Sequence, residues 1–192
     1  EENPNFEKAK LADISLSGSD NFRNQIDSSL KLLKTCSPQD LTIVDKYLDI
    51  IIEDNNLKEE QVIAQVVLPE YPPYDDKAAK KIHMTTLFFS NFITSSLKNL
   101  ASSGTLVHEA RHYWQFANWY NPSKYEFGVL NSRRESDIVD SIKNGKIEVD
   151  AHTFEKNFYL KLQKCANVSS EEFQFLIQWK DKLINKYKNN SL

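Results

Sequence analysis

Leu106-Val107-His108-Glu109-Ala110-Arg111-His112-Tyr113-Trp114 sets two histidines four positions apart, with a glutamate after the first. On a helix, side chains at i and i+4 project from one face about a turn apart. His108 and His112 can therefore offer two imidazole nitrogens to one tetrahedral Zn²⁺, at about 2.0–2.1 Å each. Glu109 points about 100° round the helix. It is too far round to be a third donor in the same plane, but well placed to accept a hydrogen bond from a water on the metal. Zn²⁺ lowers the pKa of such a water towards about 7, and a neighbouring carboxylate can take its proton as it attacks a carbonyl. Leu106, Val107 and Ala110 can face a core, so the segment predicts a half-buried helix. With only 4 His in the chain, composition alone produces this pattern with a probability of about 0.6 per cent. Two ordinary histidines on a surface helix are the weaker explanation.

Working outward, the helix extends from Ser95 or Ser102 to Trp119 and closes at Asn121-Pro122. Gly104 inside it blurs its start. Upstream, the β-branched run Val62 to Leu68 predicts a strand, Pro69 to Asp76 a loop, and Ile82 to Phe89 a second strand. A strand beside a metal-binding helix has an edge that can align an extended substrate backbone. Nearer the start, Asp20 can cap a helix carrying Phe22, Ile26, Leu30 and Leu33. Ser37-Pro38-Gln39-Asp40 begins another, with Leu41, Val44, Tyr47, Leu48 and Ile51 as its buried stripe until Asn55-Asn56. Downstream, a short helix is expected around Arg133 to Ile142, ended by Asn144-Gly145. A longer one covers Lys146 to Ala166. Ser169 and Glu172 then form a capping box for a last helix with Phe173, Leu176, Ile177, Leu183 and Ile184.

The fold class predicted is α+β and helix-rich, with a short sheet beside the His108–His112 helix. Residues 1–19 read as a polar, loosely held arm, and residues 20–192 as a single domain. The formal net charge of −3 gives no case for a nucleic-acid or anionic-membrane partner. No apolar run reaches the roughly 18 residues of a membrane span. The chain begins without Met, which leans towards a processed, secreted or periplasmic protein. Cys36 and Cys165 lack the spacing of a zinc site, and either pair as a disulfide or remain as buried free thiols.

A catalytic zinc takes three protein donors and keeps one position open. Glu148 and His152, again four apart, can share one helical face, and either can complete the site. His108-Glu109-x-x-His112 followed by a helix bearing Glu148-x-x-Ala151 resembles the gluzincin branch of the zincin metallopeptidases. The shape Glu148-Val149-Asp150-Ala151-His152-x-Phe154 also resembles small bacterial zincins of this kind. The resemblance covers roughly residues 82–165. It implies a zincin-like domain in which Glu148, on a later helix, is the third ligand to one Zn²⁺. It also implies a hydrolase in which Glu109 is the general base and the substrate is a peptide or protein. The small Ala151 would let the two site helices approach closely.

Two features depart from that pattern. Thermolysin-like enzymes carry an Asp four residues after the ligand Glu, where it orients a zinc-bound His; here the position is His152. Asp150 is the expected substitute acceptor, because ligating histidines usually donate their other N–H to a carboxylate or carbonyl. The oxyanion-stabilising residue is not identified, and Tyr120, Tyr125, Arg133 and Arg134 are candidates by residue type only. His152 is expected beside the ligands or as an alternative ligand, His83 at a strand edge or surface, and Arg111 in a salt bridge. The aromatic run Tyr113, Trp114, Phe116, Trp119 and Tyr120 is expected in the core. Two rival readings are a non-catalytic zinc-containing binding or regulatory module on the same fold, and a helical interaction protein with an accidental motif.

Overall fold

The computed structural model describes residues 7–60, 62–67, 79–91, 94–119 and 145–189. In chain order they form β1 (Glu7–Lys8), β2 (Ser15–Ser17), α1 (Asp20–Cys36), α2 (Pro38–Tyr47), β3 (Ile50–Glu53), β4 (Ala64–Val67), β5 (Lys81–Met84), α3 (Ser95–Trp119), α4 (Lys146–Leu162) and α5 (Ser170–Asn189). Two 3-10 turns, Asn55–Lys58 and Leu87–Asn91, lie between them. The class is α+β, with five helices and a small mixed sheet of five strands among the described residues. The expected helix at Arg133 to Ile142, the stop at Asn121-Pro122 and the whole Pro69–Asp76 loop fall outside the described residues.

The strands lie in the order β1-β2-β3-β5-β4. β2, β3 and β5 run parallel, and β1 and β4 pair antiparallel at the two ends. Residues 7–19 are therefore not a loose arm. Ile14 and Leu16 are buried in the main core, and β2 pairs with β3 from Ser15↔Ile50 to Ser17↔Ile52. The second helix is also shorter than its stripe suggested. It ends at Tyr47, Leu48 turns to extended backbone, and Ile50-Ile51-Ile52 forms the central strand. Three consecutive β-branched residues lose side-chain freedom in a helix and fit a pleated surface better. The Val62–Leu68 strand is observed as β4, and the Ile82–Phe89 strand is observed only to Met84, giving way to the second 3-10 turn.

Each helix start has a visible cause. The Ser19 hydroxyl, not Asp20, accepts the Phe22 N–H of α1 at 3.3 Å. Pro38 opens α2, where its missing N–H costs nothing, while the Ser37 hydroxyl bonds Asp40. The capping box forms as expected. Glu172 N–H donates to Ser169 Oγ and Ser169 N–H to Glu172 Oε2, both at 3.2 Å. Gly145 precedes α4 with φ of 64°, a left-handed conformation that suits glycine.

α3 is the centre of the molecule, with α1 and α2 on one side, α4 on the other and β4 beside its second half. Every residue from Ala101 to Ala110 is buried. A helix buried on all sides has to satisfy its polar groups internally. Ser103 and Thr105 do so through the carbonyls of Asn99 (2.7 Å) and Ala101 (3.1 Å). Gly104 lies against the Tyr159 ring of α4, and a Cβ there would collide with the Tyr159 ring and its oxygen. Together with the fully buried Ala151, this gap sets how closely α3 and α4 approach. On the sheet side, the Tyr113 hydroxyl lies within hydrogen-bonding distance of the carbonyls of Lys81 (2.7 Å) and Val67 (3.0 Å), tying α3 to β5 and β4.

The cysteines are paired. Cys36, at the end of α1, is joined to Cys165, in the turn between α4 and α5, across 129 residues of sequence with a Cα–Cα distance of 5.8 Å. A cross-link closing so long a loop restricts the unfolded chain strongly. Replacing both cysteines by serine is expected to lower the unfolding free energy by about 2–5 kcal/mol, measured by urea denaturation. Identical midpoints for the two proteins would show that the link contributes nothing.

Candidate metal centre

His108 and His112 project from α3, and Glu148 and His152 from α4, towards one point. The Nε2 atoms of His108 and His112 are 3.0 Å apart. Glu148 Oε2 lies 3.5 Å from His108 Nε2, and Glu148 Oε1 lies 3.5 Å from His112 Nε2. Donors at about 2.0–2.1 Å from one tetrahedral ion are separated from each other by about 3.3 Å. The three separations bracket that value. Donor atoms of His108, Glu148 and His152 also fall within 4.8 Å of one another.

The partners of the imidazoles assign their protons. Gln115 Nε2 donates to the Ile147 carbonyl (3.0 Å) and to Asp150 Oδ2 (2.8 Å), leaving its Oε1 to accept from His112 Nδ1 at 3.0 Å. Glu155 takes the Tyr159 hydroxyl on Oε1 (2.6 Å) and the Lys180 ammonium on Oε2 (2.7 Å). It is an acceptor, so His108 Nδ1, 3.1 Å from Oε2, is the donor. As neutral imidazoles, both rings of α3 would thus turn an Nε2 lone pair towards the other. Two nitrogen lone pairs 3.0 Å apart, facing a carboxylate, call for a cation between them. This is the chemistry by which the residues fit a metal ion.

Counting protein groups only, a proton has to serve instead. Burial opposes charge on His108, but hydrogen bonds to Glu148 and Glu155 and the field of Glu109 outweigh it, raising its pKa to about 10. Burial and the His108 charge together lower His112 to about 4. Burial pushes Glu148 up, yet the His108 hydrogen bond and the nearby histidine charges bring it to about 2. Burial would raise Glu155 too, and Lys180, the hydrogen bond from His108 and the nearby His152 ring hold it well below the usual range.

Glu109 has a different environment. Its carboxyl is buried, and Oε2 has no hydrogen-bond partner among the described residues. Burial raises its pKa to about 7, with His108 opposing and Glu148 and Glu155 adding to the rise. Glu109 lines a cavity of about 580 Å³ together with the four converging residues. Val62 to Val66 of β4 and the turn before it form one wall, and Phe175, Trp179, Leu183 and Tyr187 of α5 form another.

Among the remaining candidates, Asp150 acts one step removed from the place expected for it. It reaches His112 only through Gln115, and it also takes two hydrogen bonds from Arg111, at 2.7 and 3.2 Å. Arg111 is thus the salt-bridging residue anticipated, with its guanidinium 3.6 Å from the centre of the Trp114 ring. His83 pairs with Asp54 at 2.9 Å on the sheet, away from the cavity. Tyr113 and Phe116 are core residues. Tyr120, Tyr125, Arg133 and Arg134 lie outside the described residues. Glu155, Gln115 and Lys180 went unread in the sequence. Glu155 is seven after Glu148, two helical turns on, and Gln115 is seven after His108, so helical period carried a signal for both. Nothing local marks Lys180.

Two outcomes follow from this charge arrangement. Glu155→Gln leaves the buried Lys180 ammonium without its anion and is expected to destabilise the fold by about 3–5 kcal/mol, read from urea unfolding. Because the pKa of His108 is raised to about 10, zinc uptake at pH 7 has to expel a proton, so affinity rises with pH. Calorimetry in buffers of different ionisation enthalpy measures that release, and a buffer-independent heat would contradict it. No protein-family model, curated protein or solved structure matches this chain in comparisons with known proteins.

Proposed function

We propose that the protein is a zinc-dependent metallohydrolase of the zincin type, gluzincin-like, that cleaves peptide bonds. The observation that carries this reading is the buried Glu109 carboxyl, whose Oε2 has no partner among the described residues, in the cavity beside the converging nitrogens and oxygens of His108, His112 and Glu148. Those three residues would hold one Zn²⁺ per chain. When bound, zinc supplies a Lewis acid for the scissile carbonyl and a water acidified towards a pKa of about 7. Glu109 takes the proton from the attacking water and passes it to the leaving amine, a task for which a carboxyl with a pKa raised to about 7 is suited. Gln115 and Glu155 hold the two imidazoles in the tautomer that directs Nε2 inward. β4, at the end of the strand order and along the cavity wall, would align an extended peptide by backbone pairing.

The substrate class rests on this strand and on the resemblance in the sequence. The Cys36–Cys165 disulfide supports an oxidising compartment, in keeping with the secreted or periplasmic setting expected. No described helix is long and apolar enough to cross a membrane.

A non-catalytic zinc module is the second reading, favoured by one observation, the further imidazole of His152, whose donor atom lies within 4.8 Å of those of His108 and Glu148. Metal content and turnover separate the two. Protein purified without added metal is expected to carry about one zinc per chain by mass spectrometry. Glu109→Gln should keep the metal and lose at least about 10²-fold in turnover of a peptide library. Equal turnover in both proteins, or none in either despite bound zinc, would sink the catalytic reading.

A further inference from the structure

His152 has no place in the proposed hydrolysis, yet its position is closely determined. It is buried on α4, one turn beyond Glu148, with its ring centre 4.4 Å from that of His108 and 5.6 Å from that of Tyr187 on α5, where the two rings stack. Its Nδ1 has no hydrogen bond among the described residues and stands 3.5 Å from Glu155 Oε2, the oxygen that also faces His108 Nδ1. Its Nε2 stands 3.8 Å from Glu148 Oε2. One carboxylate therefore faces the outer nitrogens of two imidazoles, and both imidazoles turn their inner nitrogens to Glu148. Glu155 is already an acceptor for Tyr159 and Lys180. The proton of neutral His152 accordingly belongs on Nδ1, and Nε2 keeps its lone pair.

We infer that His152 is a fourth metal donor, which closes the centre in the resting protein and has to withdraw before a carbonyl can bind. This rests on the metal site proposed above and adds a device to it. Four protein donors make a closed zinc site, whereas three leave a position for substrate. The separation from Glu148 is about half an ångström longer than a tetrahedral edge, as suits the donor that is released rather than the three that stay. Withdrawal would carry the ring along its contact with Tyr187, which lines the same cavity. The bound form would be protected from stray nucleophiles and anions until a substrate displaces the imidazole. The exchange would break the contact from His152 Nε2 and put one from the incoming carbonyl oxygen in its place, with no proton or electron transferred.

The test uses the full chain loaded with Co²⁺ in place of zinc, with azide as a probe of the open position. His152→Phe keeps an aromatic ring against His108 and Tyr187 but has no donor. His152→Ala leaves a space that free imidazole can fill. The wild-type visible spectrum should resist azide, and both variants should bind it. In His152→Ala, added imidazole should restore the wild-type spectrum. Zinc affinity of both variants should fall by about tenfold or more. Wild-type and variant spectra that coincide, with equal azide binding, would overturn the fourth donor while leaving the three-residue site intact. A wild-type chain that takes up no metal would overturn both.

Discussion

Glu155 is a carboxylate almost without solvent, and three helices meet on it. Its own helix, α4, supplies Tyr159 to one oxygen; α5 brings Lys180 and α3 brings His108 to the other. Taking a carboxylate and an ammonium out of water costs several kcal/mol each, and their attraction offsets that only when the remaining lone pairs are filled. Here they are filled, so the group persists as an ion. Its main consequence is positional. The same oxygen that neutralises Lys180 sets the orientation of His108, so helix packing and the aim of the first histidine are one arrangement.

The convergence also depends on a helix core with almost no side chain at one point. Gly104 removes the atom that would collide with the Tyr159 ring, and Tyr159 in turn occupies Glu155. Helix propensity alone favours alanine over glycine by about 1 kcal/mol. A residue that weakens α3 locally is thus what lets α4 come close enough for Glu148 to face His108 and His112. On the other flank, Tyr113 grips the carbonyls of Lys81 and Val67, fixing α3 relative to the strand that walls the cavity. The acid beside the site, Glu109, has a buried oxygen, Oε2, with no partner among the described residues. Its isolation contrasts with the saturation of Glu155, and the two carboxylates differ accordingly in pKa. One is held as an anion by Lys180 and two histidines. The other has its pKa raised to about 7 by burial.

Much of this was legible along the chain. The four-residue spacing of His108 and His112, and of Glu148 and His152, is helical geometry, so each pair could be placed on one face from sequence alone. The α1 stripe and the Ser169–Glu172 box are local patterns of the same kind, satisfied within a few residues. Where the reading went astray, the segments were short. Ile50 to Glu53 continued a plausible helical stripe, and four residues do not carry enough periodicity to choose between a helix end and a strand. Residues 7–19 looked like a polar arm because β1 and β2 together hold only five strand residues. What orders them is pairing with β3, which no local pattern encodes.

The sequence by itself determined the five described helices apart from the end of α2, the α+β class and the placing of His108 with His112 and of Glu148 with His152 on one face each, because each depends on the period of one element and on neighbours within a turn. Tertiary structure decided that the two pairs face each other, that Glu155 and Lys180 stand behind them, and that Cys36 meets Cys165. It also decided that Asp150 reaches His112 only through Gln115. Those relations join residues tens of positions apart, and their energy lies in desolvation and close packing between helices. Such terms exist only once the helices are together.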